Sequence, residues 1–164
     1  MKEQKLNILD DELLFIADAV CFTSNGVLNN KGELVMGAGV AKAFKQKWPD
    51  ISMLAGNVVK TNGNICQIIT TMSYNMMFSK TVKLVGFHKV DVIAFPTKEH
   101  WRDQSDIDLI IKSSIELMKL CNAHSYKSVY LPRPGCACGG LDWEKEVKPA
   151  IKDILDERII ICHL

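Results

Sequence analysis

An excess of charge of either sign is missing from this sequence: 20 Lys and Arg stand against 19 Asp and Glu, a formal net charge of +1. No broad field exists to hold a nucleic-acid backbone or an anionic membrane without local clustering. An anionic ligand must therefore be held by local geometry. No apolar run approaches the roughly 20 residues of a membrane helix, and the charged start at residues 1–5 leads into no signal-peptide core. A cytoplasmic protein with no membrane partner is expected. Matched cysteine pairs are also lacking, since Cys136 and Cys138 stand C-x-C with no second pair, unlike a structural zinc site. Cys21, Cys66 and Cys162 sit in apolar strand-like runs, where thiols act as small hydrophobes. Free thiols and no bound metal are expected. There is no repeat, low-complexity tract or linker.

Three catalytic signatures are absent as well. No glycine-rich loop ends in Gly-Lys-Ser/Thr, and the first βα unit carries no G-x-G-x-x-G, so neither nucleotide hydrolysis nor dinucleotide redox chemistry is supported. The absence of G-x-S-x-G argues against an α/β-hydrolase. What is present is an ordinary globular composition, 48% hydrophobic and 24% charged over 164 residues, enough for one domain with a full core. Strand signals fall at 4–9, 18–23, 65–71, 90–96, 128–132 and 158–163. Helical periodicity falls at 39–47, 50–60, 106–123 and 142–155, with Ser105 expected to cap the third helix. Strands alternating with helices predict right-handed crossovers and an α/β fold. The expected architecture is a three-layer α/β/α sandwich with a mixed, mostly parallel central sheet and ligands at the carboxyl ends of its strands.

Two loops place glycine where a strand ends and a helix begins. The first runs from Thr23-Ser24-Asn25-Gly26 through Gly32 to Gly37-Ala38-Gly39-Val40-Ala41. The second is Leu131-Pro132-Arg133-Pro134-Gly135-Cys136-Ala137-Cys138-Gly139-Gly140-Leu141-Asp142-Trp143. Glycine permits positive φ and close approach of a ligand to the backbone, and successive free N–H groups form an anion-binding nest. Two such loops in a small domain point to a phosphate-bearing ligand, which suits the near-zero net charge.

ADAVCFTSNG, MGAGVAKAF and LPRPGCACGGLDW, in that order from about Leu6 onward, resemble the macro domain family. The similarity is to the branch of phage-type macro proteins and antitoxins that reverse DNA ADP-ribosylation; Phe95-Pro96-Thr97-Lys98-Glu99-His100-Trp101-Arg102 also looks like that branch. The resemblance implies a single ADP-ribose-binding domain that hydrolyses an ADP-ribosyl bond on protein, nucleic acid or a small molecule such as ADP-ribose 1″-phosphate. The alternatives are a non-catalytic reader and a sponge for a nucleotide signal. It implies no cofactor, and a monomer is expected. Asp11, or its neighbour Asp10, falls where the family places the carboxylate that receives the adenine amino group. Thr23, Ser24 and Asn25 belong to the loop facing the distal ribose, and Gly37, Ala38, Gly39 and Val40 surround that ribose. The stretch from Pro134 and Gly135 to Leu141 matches the loop that wraps the diphosphate. Lys98 corresponds to the lysine implicated in hydrolysis, with Asn25 and His100 as the other catalytic candidates. A eukaryotic member carries an aspartate where this chain has Gly139, so proton transfer falls to His100, Asp142 or water. Asn25 also suits an Asx turn of its own. Lys80, Lys83, Lys89, Arg102 and Arg133 are cations available to a nucleic-acid substrate, though scattered.

Overall fold

A computed structural model describes residues 1–75 and 87–164; Lys80 and Lys83 lie outside the described residues. Its strands are β1 (Lys2–Lys5), β2 (Ala19–Ser24), β3 (Gln67–Asn75), β4 (Phe87–Pro96), β5 (Val129–Pro132) and β6 (Ile159–His163). They form one sheet in the order β1-β6-β5-β2-β4-β3, parallel throughout except for β3, which runs antiparallel to β4. The helices are α1 (Asp11–Ile16), α2 (Gly39–Lys47), α3 (Ile51–Asn62), α4 (Ile107–Ala123) and α5 (Lys148–Ile151). This is the mixed, mostly parallel α/β sandwich expected from the alternation of patterns.

The period of two in each strand sorts its side chains into two cores. Val20 and Phe22 enter one with Phe44 of α2 and Ile51 of α3, while Ala19 and Cys21 enter the other with Ile110 and Leu117 of α4. Phe22 and Phe44 are fully buried and tilt together at 5.4 Å. Burying a side chain of that size contributes about 2–3 kcal/mol. The chain leaves β2 towards the α2 face and β4 towards the α4 face, and β2 lies between β4 and β5. Diverging connections of that kind open a crevice at the carboxyl ends of the strands.

Three local expectations are corrected. The first strand ends at Lys5, not residue 9: Leu6 N closes the ladder on His163 O, and an Asn7 turn then leads into α1. Six residues are too few for α1 to show a helical period, so its one sequence signal is Asp10, which accepts from Glu12 N at 2.9 Å as the N-cap. Asp106, not Ser105, caps α4, receiving Asp108 N and Leu109 N. The last helix begins as a wide π-type turn over Trp143–Val147 before α5. Pro149, which has no N–H to donate, follows that wider register directly.

Edge strand β1 is tied down by charge. Glu3 accepts from Lys148 Nζ at 2.8 Å, Arg133 Nη2 at 2.9 Å and Trp143 Nε1 at 3.0 Å. The Lys148 hydrogen bond, helped by Arg133 and Trp143, holds the Glu3 carboxyl below its usual range. A depressed folded-state pKa means stability that is complete at neutral pH and lost as pH falls below about 4.3 towards the folded value. Thermal melts taken between pH 6 and pH 3 are therefore expected to show a shallower acid decline in Glu3→Gln than in the parent. An identical decline would remove Glu3 from the account.

Candidate functional site

The first wall of the site begins where β2 ends. Thr97 N donates to Ser24 O at 3.1 Å, so β4 continues to pair past the strand. Asn25 is buried; its Oδ1 accepts from Val27 N and its Nδ2 donates to Val35 O, both at 2.9 Å. These two bonds form the Asx turn and clamp the returning loop, leaving one amide hydrogen and one oxygen lone pair for a ligand. The loop then brings Gly37–Gly39 to the start of α2. Ala38, the N-cap residue, has no capping side chain, and Gly39 takes a φ of +56° that favours glycine. The first N–H groups of α2 are thus uncapped at the cleft, an arrangement that suits an anion.

The second wall follows β5. Gly135 has a φ of +75°, and Leu141 N and Gly140 N donate back to Gly135 O and Cys136 O, winding the loop into tight turns. Gly139 is glycine because of crowding: an added Cβ would lie 2.2 Å from Gly135 O and 2.2 Å from Ser105 Oγ. The aspartate of the eukaryotic relative does not fit on this backbone. Gly139→Ala is accordingly expected to cost about 3 kcal/mol, measured by chemical denaturation; a normal midpoint would show that the loop relaxes freely. The two loops meet, since a Cβ on Gly39 would sit 3.6 Å from Cys138 Sγ.

Lys98 joins the walls from below. It is 8% exposed, and its ammonium donates to Asp103 O at 2.6 Å and Cys138 O at 3.2 Å. Two of its three donors are thus committed, one of them across 40 residues to the glycine-rich loop. The Lys98 segment is also held against the Asn25 turn by Gly26 N donating to Glu99 O at 2.9 Å.

Together these elements enclose a cleft of about 360 Å³ at the ends of β2, β4 and β5. Thr23, Ser24, Asn25, Lys98 and the segments 37–40 and 135–139 all line it. The remaining sequence candidates lie apart from that lining. Asp10 caps α1, and Asp11, 78% exposed, pairs with Lys47 at 2.6 Å, at the opposite end of α2 from Gly39. His100 accepts from Arg102 N, fixing a turn, and Asp142 caps the helical turn after the second loop. Pro134, Gly140 and Leu141 shape that loop without lining the cleft. Thr97, Trp101 and Ser105 also line it and were not among the ligand contacts expected from sequence, and Arg133, expected only as a scattered cation, lines it as well. Their signal was position, each within a few residues of Lys98 or of the second loop.

All six cysteines are free thiols. Burial pushes the Cys136 thiol up to about 11, so it is neutral in the cleft wall at physiological pH. Among the described residues no group of three His, Cys, Asp or Glu is placed to hold a metal ion, and no helix is long and apolar enough to cross a membrane.

The Macro domain sequence profile matches residues 29–150. The DNA ADP-ribosyl glycohydrolase of Mycobacterium tuberculosis is 34% identical over 110 residues, covering 67% of this chain and 29% of that protein. The chain thus spans under a third of this curated relative. The solved macrodomain of Mycobacterium tuberculosis DarG superposes with a TM-score of 0.66 at 27% identity, over 99% of this chain and 97% of that one. Thermosipho africanus DarTG, solved in complex with ADP-ribose, shares the fold at a TM-score of 0.64 and 23% identity, over 89% of this chain and 38% of that one. With three quarters of its length matched by the family profile and the fold of solved relatives reproduced across the sheet, the chain belongs to the macro domain family.

Proposed function

We propose that the cleft binds ADP-ribose and that the domain hydrolyses the bond joining an ADP-ribosyl group to its carrier, with ADP-ribosylated DNA as the substrate class. One observation carries this reading: an uncapped helix N-terminus, a glycine-rich turn and a buried ammonium converge on one cleft. The diphosphate lies along the amides of 135–139, the distal ribose lies between Asn25 and 37–40, and its anomeric carbon lies towards Lys98. The names of the relatives supply the carrier, DNA. In the reaction a water oxygen bonds to the anomeric carbon, the bond to the base breaks, and the base leaves with the proton the water gives up. Lys98 stabilises charge at that carbon, and Asn25 orients the ribose. The site works as one domain and as a monomer.

The commitment of two Lys98 donors to backbone carbonyls favours a second reading, in which the lysine only braces the loops and the domain is a reader. Incubation with ADP-ribosylated DNA, RNA and protein and with ADP-ribose 1″-phosphate separates the two. Released ADP-ribose from the DNA conjugate is the expected result. Tight binding with no release from any of them would leave the reader.

A further inference from the structure

Trp101 is 45% exposed, and among the described residues it is the exposed large hydrophobic side chain that also lines the cleft. It stands three residues after Lys98, in the segment clasped by the Asn25 turn. The Arg102 guanidinium carbon lies 4.6 Å from its ring centroid, and the His100 ring stacks on it at 5.7 Å with 24° between planes. Arg102 forms no ion pair among the described residues. Of the nearby carboxylates, Glu99 is engaged with Asn64 Nδ2 and Asp106 with the α4 cap, and Asp103 is exposed next to Arg102 without forming an ion pair with it. The rim beside Lys98 therefore presents a partly exposed indole, flanked by the His100 ring and by a planar cation that forms no ion pair among the described residues, in a segment held by a fixed turn.

We infer that Trp101 is the platform on which the base of an ADP-ribosylated nucleic acid stacks, with Arg102 meeting the adjoining phosphate. This rests on the proposed function above, because that reading puts the carrier next to the distal ribose and hence next to Lys98. The chemistry is matched on both counts. Every nucleobase offers a π face to an indole, a contact worth roughly tenfold to hundredfold in affinity per base. A guanidinium supplies two-pronged recognition of a phosphate. A protein carrier offers neither feature as a rule. Net charge is no obstacle, because one stacked base and one phosphate need a local device and no basic field.

The test compares binding of a single-stranded DNA oligonucleotide carrying ADP-ribose, an ADP-ribosylated peptide and free ADP-ribose. It is run in a Lys98→Met background so that the conjugates persist. Affinity for the oligonucleotide conjugate should exceed that for free ADP-ribose by tenfold or more. Trp101→Ala should erase most of that gain, Trp101→Phe should restore part of it, and Arg102→Gln should flatten its salt dependence. The peptide conjugate should show no comparable gain. If ADP-ribose binds but the attached oligonucleotide adds nothing, or if Trp101→Ala weakens all three ligands equally, the platform is refuted while the ADP-ribose site stands. An equal gain from the peptide would transfer the platform to protein carriers and refute it for nucleic acid. If ADP-ribose fails to bind the parent protein as well, both readings fall together.

Discussion

Ala137→Glu is expected to lower ADP-ribose affinity roughly a hundredfold while leaving the melting temperature close to that of the parent. Ala137 is exposed, lines the cleft within the glycine-rich turn and is not among the residues with positive φ, so a longer side chain enters without backbone strain. A carboxylate about 5 Å from the proposed diphosphate repels it by about 3 kcal/mol at an effective dielectric of ~20. Calorimetry against ADP-ribose, with a thermal melt of the same sample, reads both quantities. Gly140→Glu is a poorer probe of the same idea. Gly140 has a φ of +78° and does not line the cleft, so a loss there would mix strain with repulsion. Full affinity in Ala137→Glu would move the diphosphate off this loop.

Lys98→Met should have the other large effect, on turnover and on the loop together. Methionine keeps the buried stem and removes the ammonium, leaving Asp103 O and Cys138 O without their donor. Each carbonyl so exposed costs about 1–3 kcal/mol unless water replaces the donor. The melting temperature should therefore fall by several degrees. Release of ADP-ribose from a DNA conjugate should fall a hundredfold or more, and affinity for ADP-ribose should fall by less than tenfold. Some loss of affinity is required, because the lysine anchors the very loop proposed to carry the diphosphate. Unchanged turnover with lowered stability would reduce Lys98 to a brace and favour the reader.

The two glycine-rich loops and the alternation of strands with helices were legible because they are written locally. A period of two or of 3.6 residues, and glycine at a strand-to-helix junction, have the same meaning wherever the chain goes. Helix α1 was not legible, as six residues give less than two turns of pattern. Asp10 and Asp11 show what the fold adds to a motif match. The motif proposes one of them as the carboxylate for the adenine, and the structure adds that Asp10 caps α1 and that Asp11 pairs with Lys47. No local pattern sets Trp101 apart from the other tryptophans, and its exposed surface beside the cleft distinguishes it.

From sequence order alone came the layered α/β architecture, the family, and the segments that border the cleft, because each depends on short-range pattern and on chain order. Contacts across long separations came from folding: Lys98 with Cys138, Gly139 against Ser105, and Glu3 with Arg133, Trp143 and Lys148. Those pairings turn on which side chains and carbonyls meet when β4, β5 and β6 are stacked in register. No local pattern encodes that meeting, since a buried ammonium takes whichever carbonyls the packed loops bring within about 3 Å of it.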